Sequence, residues 1–250
     1  MRYNTLADII KAEDTFEVET GIKSKDRVKK SGEVYTPDWV VNDMLNLVPT
    51  KDREDQTGVD NEERVISLDE TYLEPACGNG NFLIRIIDRK LNRAVELGEH
   101  DIYKNVLKAY MSTYGVDIMS DNVEESKARM LLRLGRNKKL VEMLNNIDAD
   151  KLVHNINFVL DRNIIWGNML SGYRQKDDAV DSDNEMEFIG WNITDDTLTT
   201  VICPKSNLGQ PNGDDKWFDT DYRSDLEAVG LESGLQADGT INNEGDGFDF

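Results

Sequence analysis

Apolar residues recur along this chain with two different periods. From Phe82 to Leu97 the apolar positions Phe82, Ile86, Ile87, Leu91, Ala94 and Val95 stand three and four apart, which predicts a helix with one buried side. Val40, Val41, Met44, Leu45 and Val48 repeat that spacing directly after Thr36-Pro37, where Thr suits a helix cap and Pro the first helical position. Val106, Leu107, Tyr110 and Met111 predict a short helix, and 122–134 and 138–146 two more. Between these lie short apolar runs of strand length: one ending at Leu73 within Val65–Glu74, then Tyr114–Ile118, Ile156–Leu160 and Asn163–Trp166. Strands alternating with helices predict an α/β chain with an open, doubly wound, mostly parallel sheet. Ligands of such sheets bind beyond the carboxyl ends of the strands.

Composition narrows the classes. The chain has 250 residues, 38% of them hydrophobic and 31% charged, enough for one large domain or two small ones. No run approaches the ~20 apolar residues of a membrane span, and MRYNTLADIIKAEDTF lacks the apolar stretch of a secretory signal. Two cysteines, Cys77 and Cys203, exclude a disulfide scaffold and a multi-cysteine zinc site, so a reducing cytoplasm and no metal are expected. The net charge is −20, which argues against coating nucleic acid through bulk charge. Residues 171–250 hold five basic and nineteen acidic side chains, a net of −14, against −6 for residues 1–170. That final stretch is also rich in Gly, Asn and Asp, as in GQPNGDD and INNEGDGFDF. We therefore divide the chain into an N-terminal helical segment (1–30), a core (31–170) and an acidic, loop-rich region (171–250). Lys51–Arg64 reads as an exposed loop.

The most informative segment is Leu73-Glu74-Pro75-Ala76-Cys77-Gly78-Asn79-Gly80-Asn81-Phe82, between a predicted strand and a predicted helix. Gly78 and Gly80 allow a tight turn and close approach of a ligand, and the helix start that follows favours an anionic group. Asp117 closes the next candidate strand, where an acid can accept from ribose hydroxyls.

Glu-Pro-Ala-Cys-Gly-Asn-Gly-Asn-Phe resembles the first motif of the amino-methylating DNA methyltransferases, the group that includes adenine-N6 enzymes of restriction–modification systems. Three further segments resemble that family in the right order: Gly32-Glu33-Val34-Tyr35-Thr36-Pro37 before the first strand, Gly115-Val116-Asp117-Ile118 as the second motif, and Asn163 to Leu170 (NIIWGNML) as the third. Glu74, Asn79 and Asn168 depart from the family's usual residues. The resemblance covers residues 30–170 and implies a Rossmann-like core that binds S-adenosylmethionine. It implies that Tyr35, Thr36 and Pro37 lie against the methionine part of the cofactor. Glu74, Ala76, Gly78 and Gly80 would cup the cofactor, and Phe82 would pack beside it. Asp117 would hold the ribose, Ile118 the adenine face, and Asn168 the adenine amine through an amide oxygen without charge assistance. Cys77 reads as a small buried thiol, and His100 and His154 receive no role.

The family's fourth motif, an acid, Asn or Ser followed by Pro-Pro and an aromatic, is missing, and the sequence contains no Pro-Pro pair. Its nearest equivalents are Phe188–Asn192 and Val201–Asn207, so catalytic residues stay unassigned. The later strands of the family's sheet are also not recognisable. The expectation is a DNA adenine-N6 methyltransferase-like protein that binds S-adenosylmethionine but is catalytically reduced, or dependent on a partner that brings the DNA. Methylation of RNA or protein is a further reading. The competing class is a non-catalytic interaction protein, in which the acidic final third mimics nucleic-acid charge in an anti-restriction or regulatory role.

Overall fold

Three parallel strands stand side by side: β1 (Tyr72–Glu74), β2 (Thr113–Asp117) and β3 (Ile164–Asn168). Glu74 pairs with Gly115, and Asp117 with Trp166, so the three carboxyl ends share one rim. Parallel neighbours need long crossovers. Helices α4 (Asn81–Leu97) and α5 (Ile102–Met111) cross from β1 to β2, and α6 (Ser120–Arg136), α7 (Lys138–Leu144) and α8 (Ala149–Asn163) cross from β2 to β3. Before β1 lie α1 (Leu6–Glu13), α2 (Lys25–Ser31) and α3 (Asp38–Leu47). This computed structural model describes residues 2–13, 24–31, 34–48, 66–176, 179–194, 197–208, 233–235 and 241–242. The Lys51–Arg64 loop and most of the acidic tail lie outside them.

The sheet is α/β but mixed, which corrects the expectation of mostly parallel strands. After β3 the chain reverses through residues 169–172, with Gly172 at φ +86°. A turn that short cannot make a parallel crossover. Strand β4 (Tyr173–Lys176) therefore pairs antiparallel with β3, and β5 (Ala179–Glu185) antiparallel with β4. A second sheet holds the hairpin of β6 (Glu187–Thr194) and β7 (Thr197–Pro204), extended by β8 (Ser233–Leu235) and β9 (Ile241–Asn242). Within the region 171–250, read as acidic and loop-rich, the described residues of β4 to β7 are strand. On β5 Asp183 is exposed and Asp181 and Glu185 are half-buried, while Met186 and Phe188 beside them are fully buried.

The two faces of the parallel strands are packed differently. On one, Cys77, Leu83 and Ile164 join the main core built by α1 and α4 to α8. Strand β2 and α4 meet closely here: a Cβ at Gly115 would lie 2.8 Å from Leu83 Cδ1. On the other, Tyr114, Val116 and Ile165 pack against Met186 and Phe188. A hairpin, and not a second helical layer, covers this face among the described residues. Ile156–Leu160, expected as a strand, belongs to α8. Leu152, Val153, Ile156, Val159 and Leu160 form the buried stripe of a longer helical repeat, and Asp148 caps its start by accepting from the Lys151 N–H at 3.1 Å. Helix α1 docks where Gly135 of α6 leaves room: a Cβ there would lie 3.2 Å from Ile10 Cα. Among the described residues no helix is long and apolar enough to cross a membrane, and no group of three His, Cys, Asp or Glu side chains is placed to hold a metal ion.

Candidate functional site

The turn after β1 is built on two left-handed glycines, Gly78 (φ +53°) and Gly80 (φ +89°), conformations that residues with a Cβ rarely adopt. Their positions impose different demands. A Cβ at Gly80 would meet Ser126 of α6 at 3.1 Å, its backbone Cα at 3.2 Å. A Cβ at Gly78 would only touch the Tyr35 ring, at 3.5 Å. The loop is anchored to β2 by the Cys77 N–H donating to the Val116 carbonyl at 2.9 Å. Gly80 then starts α4, its carbonyl accepting from the Ile84 N–H.

Asp117, at the end of β2, sits directly beside this loop. One carboxylate oxygen accepts from the Gly78 N–H at 2.8 Å; the other accepts from the Met119 N–H at 2.8 Å and from Asn122 Nδ2 at 3.3 Å. The glycine loop and the strand-end acid, expected together from sequence, are therefore adjacent. Asp117 is 8% exposed, so these contacts hold a charge away from bulk water. Glu74 is half-buried at the end of β1. Burial pushes its carboxyl above the ordinary range, opposed by a hydrogen bond from the Ala76 N–H.

The Tyr-Thr-Pro segment closes over the loop. Tyr35 is buried against Gly78, and its hydroxyl bonds Asn122 Oδ1 at 3.2 Å. Thr36 does not cap α3, as its position suggested. The helix begins at Asp38 behind Pro37, and the Thr36 carbonyl instead accepts from Asn81 Nδ2 at 2.8 Å. Phe82 packs with Tyr72, Val41, Leu45 and Ile86. Ala76 is exposed, and Ile118 presents an exposed apolar side chain just past Asp117. Asn168 ends β3 on the same rim, but its amide oxygen accepts from the Leu170 and Ser171 N–H groups at 3.0 and 3.3 Å. It acts there as the side-chain cap of the β3–β4 turn.

The sequence reading missed the residues of α6 that fix the loop. Ser126 Oγ donates to the Gly78 carbonyl at 2.9 Å, and Arg129 donates to the Asn79 carbonyl and to Asn81 Oδ1 at 2.8 Å. Asn122, Ser126 and Arg129 stand four and three apart. Polar residues at helical spacing on the buried side of an amphipathic helix were the available signal. Cys77 is buried, and burial pushes its thiol far above the ordinary range, with Asp117 adding to the shift.

Of the two stand-ins for the fourth motif, Phe188–Asn192 lies in β6, where Phe188 packs edge-on against Tyr114, and Trp191 donates to Asn163 Oδ1 at 2.8 Å and packs edge-on against Phe158. Val201–Asn207 runs from β7 into a short 3-10 turn, where Lys205 lies beside Gly172 of the β3–β4 turn. No family model, curated protein sequence or solved structure matches this chain.

Proposed function

We propose that the rim formed by the ends of β1 and β2 binds S-adenosylmethionine, and that the chain is a methyltransferase-like protein directed at DNA adenine whose chemistry depends on a partner. One observation carries the reading: Gly78 N–H meets the Asp117 carboxylate at 2.8 Å, so the Gly-x-Gly loop and the neighbouring strand's acid form a single unit. A Rossmann-like nucleotide site needs that unit at the carboxyl ends of adjacent parallel strands, and β1 and β2 are adjacent and parallel.

The residues present fit the cofactor in most respects. The Asp117–Asn122 contact, at 3.3 Å, is longer than the acid's bonds from the Gly78 and Met119 N–H groups and is the one a ribose hydroxyl would replace. Ile118 offers an exposed apolar face for adenine, and Glu74 an acceptor for the amino group. Tyr35, Thr36 and Pro37 would border the methionine end. Asn168 fits least, because its oxygen already caps a turn. When bound, the cofactor supplies an activated methyl group on a sulfonium. This chain's own part is to hold and orient it, since positioning is much of what such a transfer requires.

The test is calorimetric titration of the full chain with S-adenosylmethionine. Saturable binding that disappears in Asp117→Ala and persists in Asn168→Ala supports the reading. Absence of binding in the wild-type chain, with circular dichroism confirming that it is folded, refutes it. Transfer of tritiated methyl to DNA, with and without a supplied methyltransferase partner, tests the activity separately.

A further inference from the structure

A chain of net charge −20 repels anions on average, so a concentrated basic concavity in it stands out. One lies between α3, α4, α6 and α7, with a volume of about 430 Å³. Its wall carries Arg85, Arg89, Arg133, Arg136 and Lys138 against a single acid, Asp88. On α4, residues 85, 88, 89 and 92 recur at helical spacing and so share one face.

The charges are arranged in two tiers. The buried Arg133 grips both oxygens of Asp88, at 2.5 and 2.7 Å, in a bidentate fork. Arg85 reaches outward to Asp38 and also touches Asp88. Arg89, 4% exposed, donates to the Asn42 carbonyl at 3.2 Å. These guanidiniums are held in place before any ligand arrives. At the mouth, Arg136 and Lys138 are exposed and make no ion pair with another described residue. The single acid is thus already engaged, while the mouth keeps two cations for an incoming anion.

The lining also limits the ligand. Leu91 is its one apolar member, so an apolar ligand would strip water from a charged and amide lining and give no hydrogen bond in return. A phosphate offers several oxygens to more than two cations at once, which one carboxylate does not. The volume exceeds a free phosphate ion and falls in the range of small-molecule pockets, leaving space for an attached nucleoside between guanidinium planes and amides. We propose that this groove is a second site, which binds the phosphate of a nucleotide, either free or within a single strand. None of its lining residues belongs to the β1 loop or to Asp117, so the inference stands whether or not the rim binds S-adenosylmethionine.

The experiment uses the full chain with two probes: a nucleoside triphosphate, by calorimetry, and a fluorescent 12-mer single strand, by anisotropy, each at several salt concentrations. The variant is Arg136→Glu/Lys138→Glu, chosen because both side chains are exposed; a thermal melt checks its fold. Roughly tenfold weaker binding in that variant is expected, with the log–log salt slope for the strand smaller by about 1.4, the value for two lost phosphate contacts. The charge-keeping Arg136→Lys/Lys138→Arg variant should bind as wild type. Binding of the triphosphate alone identifies a free nucleotide as the source, and binding of the strand alone identifies a phosphodiester. The proposal is overturned if neither probe binds, if the double variant binds as wild type, or if sulfate at equal ionic strength competes as well as nucleotide does.

Discussion

Gly80→Ala isolates the close packing on which the loop depends. The added Cβ meets two penalties. At φ +89° an L-residue is strained by roughly 1–2 kcal/mol. The Cβ also lies 3.2 Å from the backbone Cα of Ser126, which belongs to a long, buried helix and cannot swing aside as a flexible side-chain tip would. Overpacking of that kind adds about 1–3 kcal/mol, for a total of about 2–5 kcal/mol. Gly78→Ala is the internal comparison. It shares the left-handed backbone, but its Cβ would touch only the Tyr35 ring at an ordinary 3.5 Å, so about 1–2 kcal/mol is expected. For a chain of this size each kcal/mol corresponds to about 2–4 °C in Tm. Gly80→Ala should therefore melt at least several degrees below Gly78→Ala in parallel thermal scans by circular dichroism, and urea midpoints should fall in the same order. Equal loss in the two variants, or a Gly80→Ala protein as stable as wild type, would refute the claim that contact with α6 fixes this turn.

Lys90 is fully buried, donating to the Glu70 carbonyl and to Ser112 Oγ, and burial pushes its ammonium down to about 7 from 10.5, opposed by the charges of Glu70 and Asp69. Between about pH 7 and 10 the unfolded chain binds the extra proton, so stability should rise with pH across that window. Lys90→Met should flatten the rise in urea titrations run at each pH. Above about pH 10 the buried phenols of Tyr103, Tyr110 and Tyr114, all pushed upward by burial, act with the opposite sign and stability should fall. Asn163 donates to the carbonyls of Tyr110, Met111 and Thr113 and accepts from Trp191, joining α5, β2, α8 and β6 at one buried point. Asn163→Leu removes these bonds and leaves the N–H of the half-buried Trp191 without its acceptor, and should cost about 2–4 kcal/mol, read as a lower urea midpoint with a red-shifted tryptophan emission. Both thiols are buried and pushed up by burial, so a disulfide reagent at pH 8 should label native protein slowly and both cysteines promptly in urea.

The local chemistry of the site could be read directly from the sequence. Glycines at 78 and 80, a strand-end acid at 117 and helical spacing from Phe82 to Leu97 are properties of short segments, and the structure has Gly78 and Asp117 in contact. Short-range patterns of that kind depend on backbone freedom and on side-chain periodicity, both of which neighbouring residues fix. The acidic, Gly- and Asn-rich composition of 171–250 suggested a loop-rich region, but composition reports solvent contact, and exposed edges of antiparallel strands such as β5 are as solvated as loops. Ile156–Leu160 fitted a strand because a short apolar run does not distinguish a strand from one face of a buried helix.

Tertiary structure decided the rest. It determined that β4 turns back antiparallel, that a hairpin covers the second face, and that Asn168 caps a turn. It also brought Asn122, Ser126 and Arg129 onto the loop and gathered Arg85, Arg133 and Lys138 around one groove. Ser126 lies 48 positions from Gly78, and Arg133 lies 45 positions from Asp88. Their meeting depends on how α4 and α6 pack across the sheet, and no window of neighbouring residues contains that information.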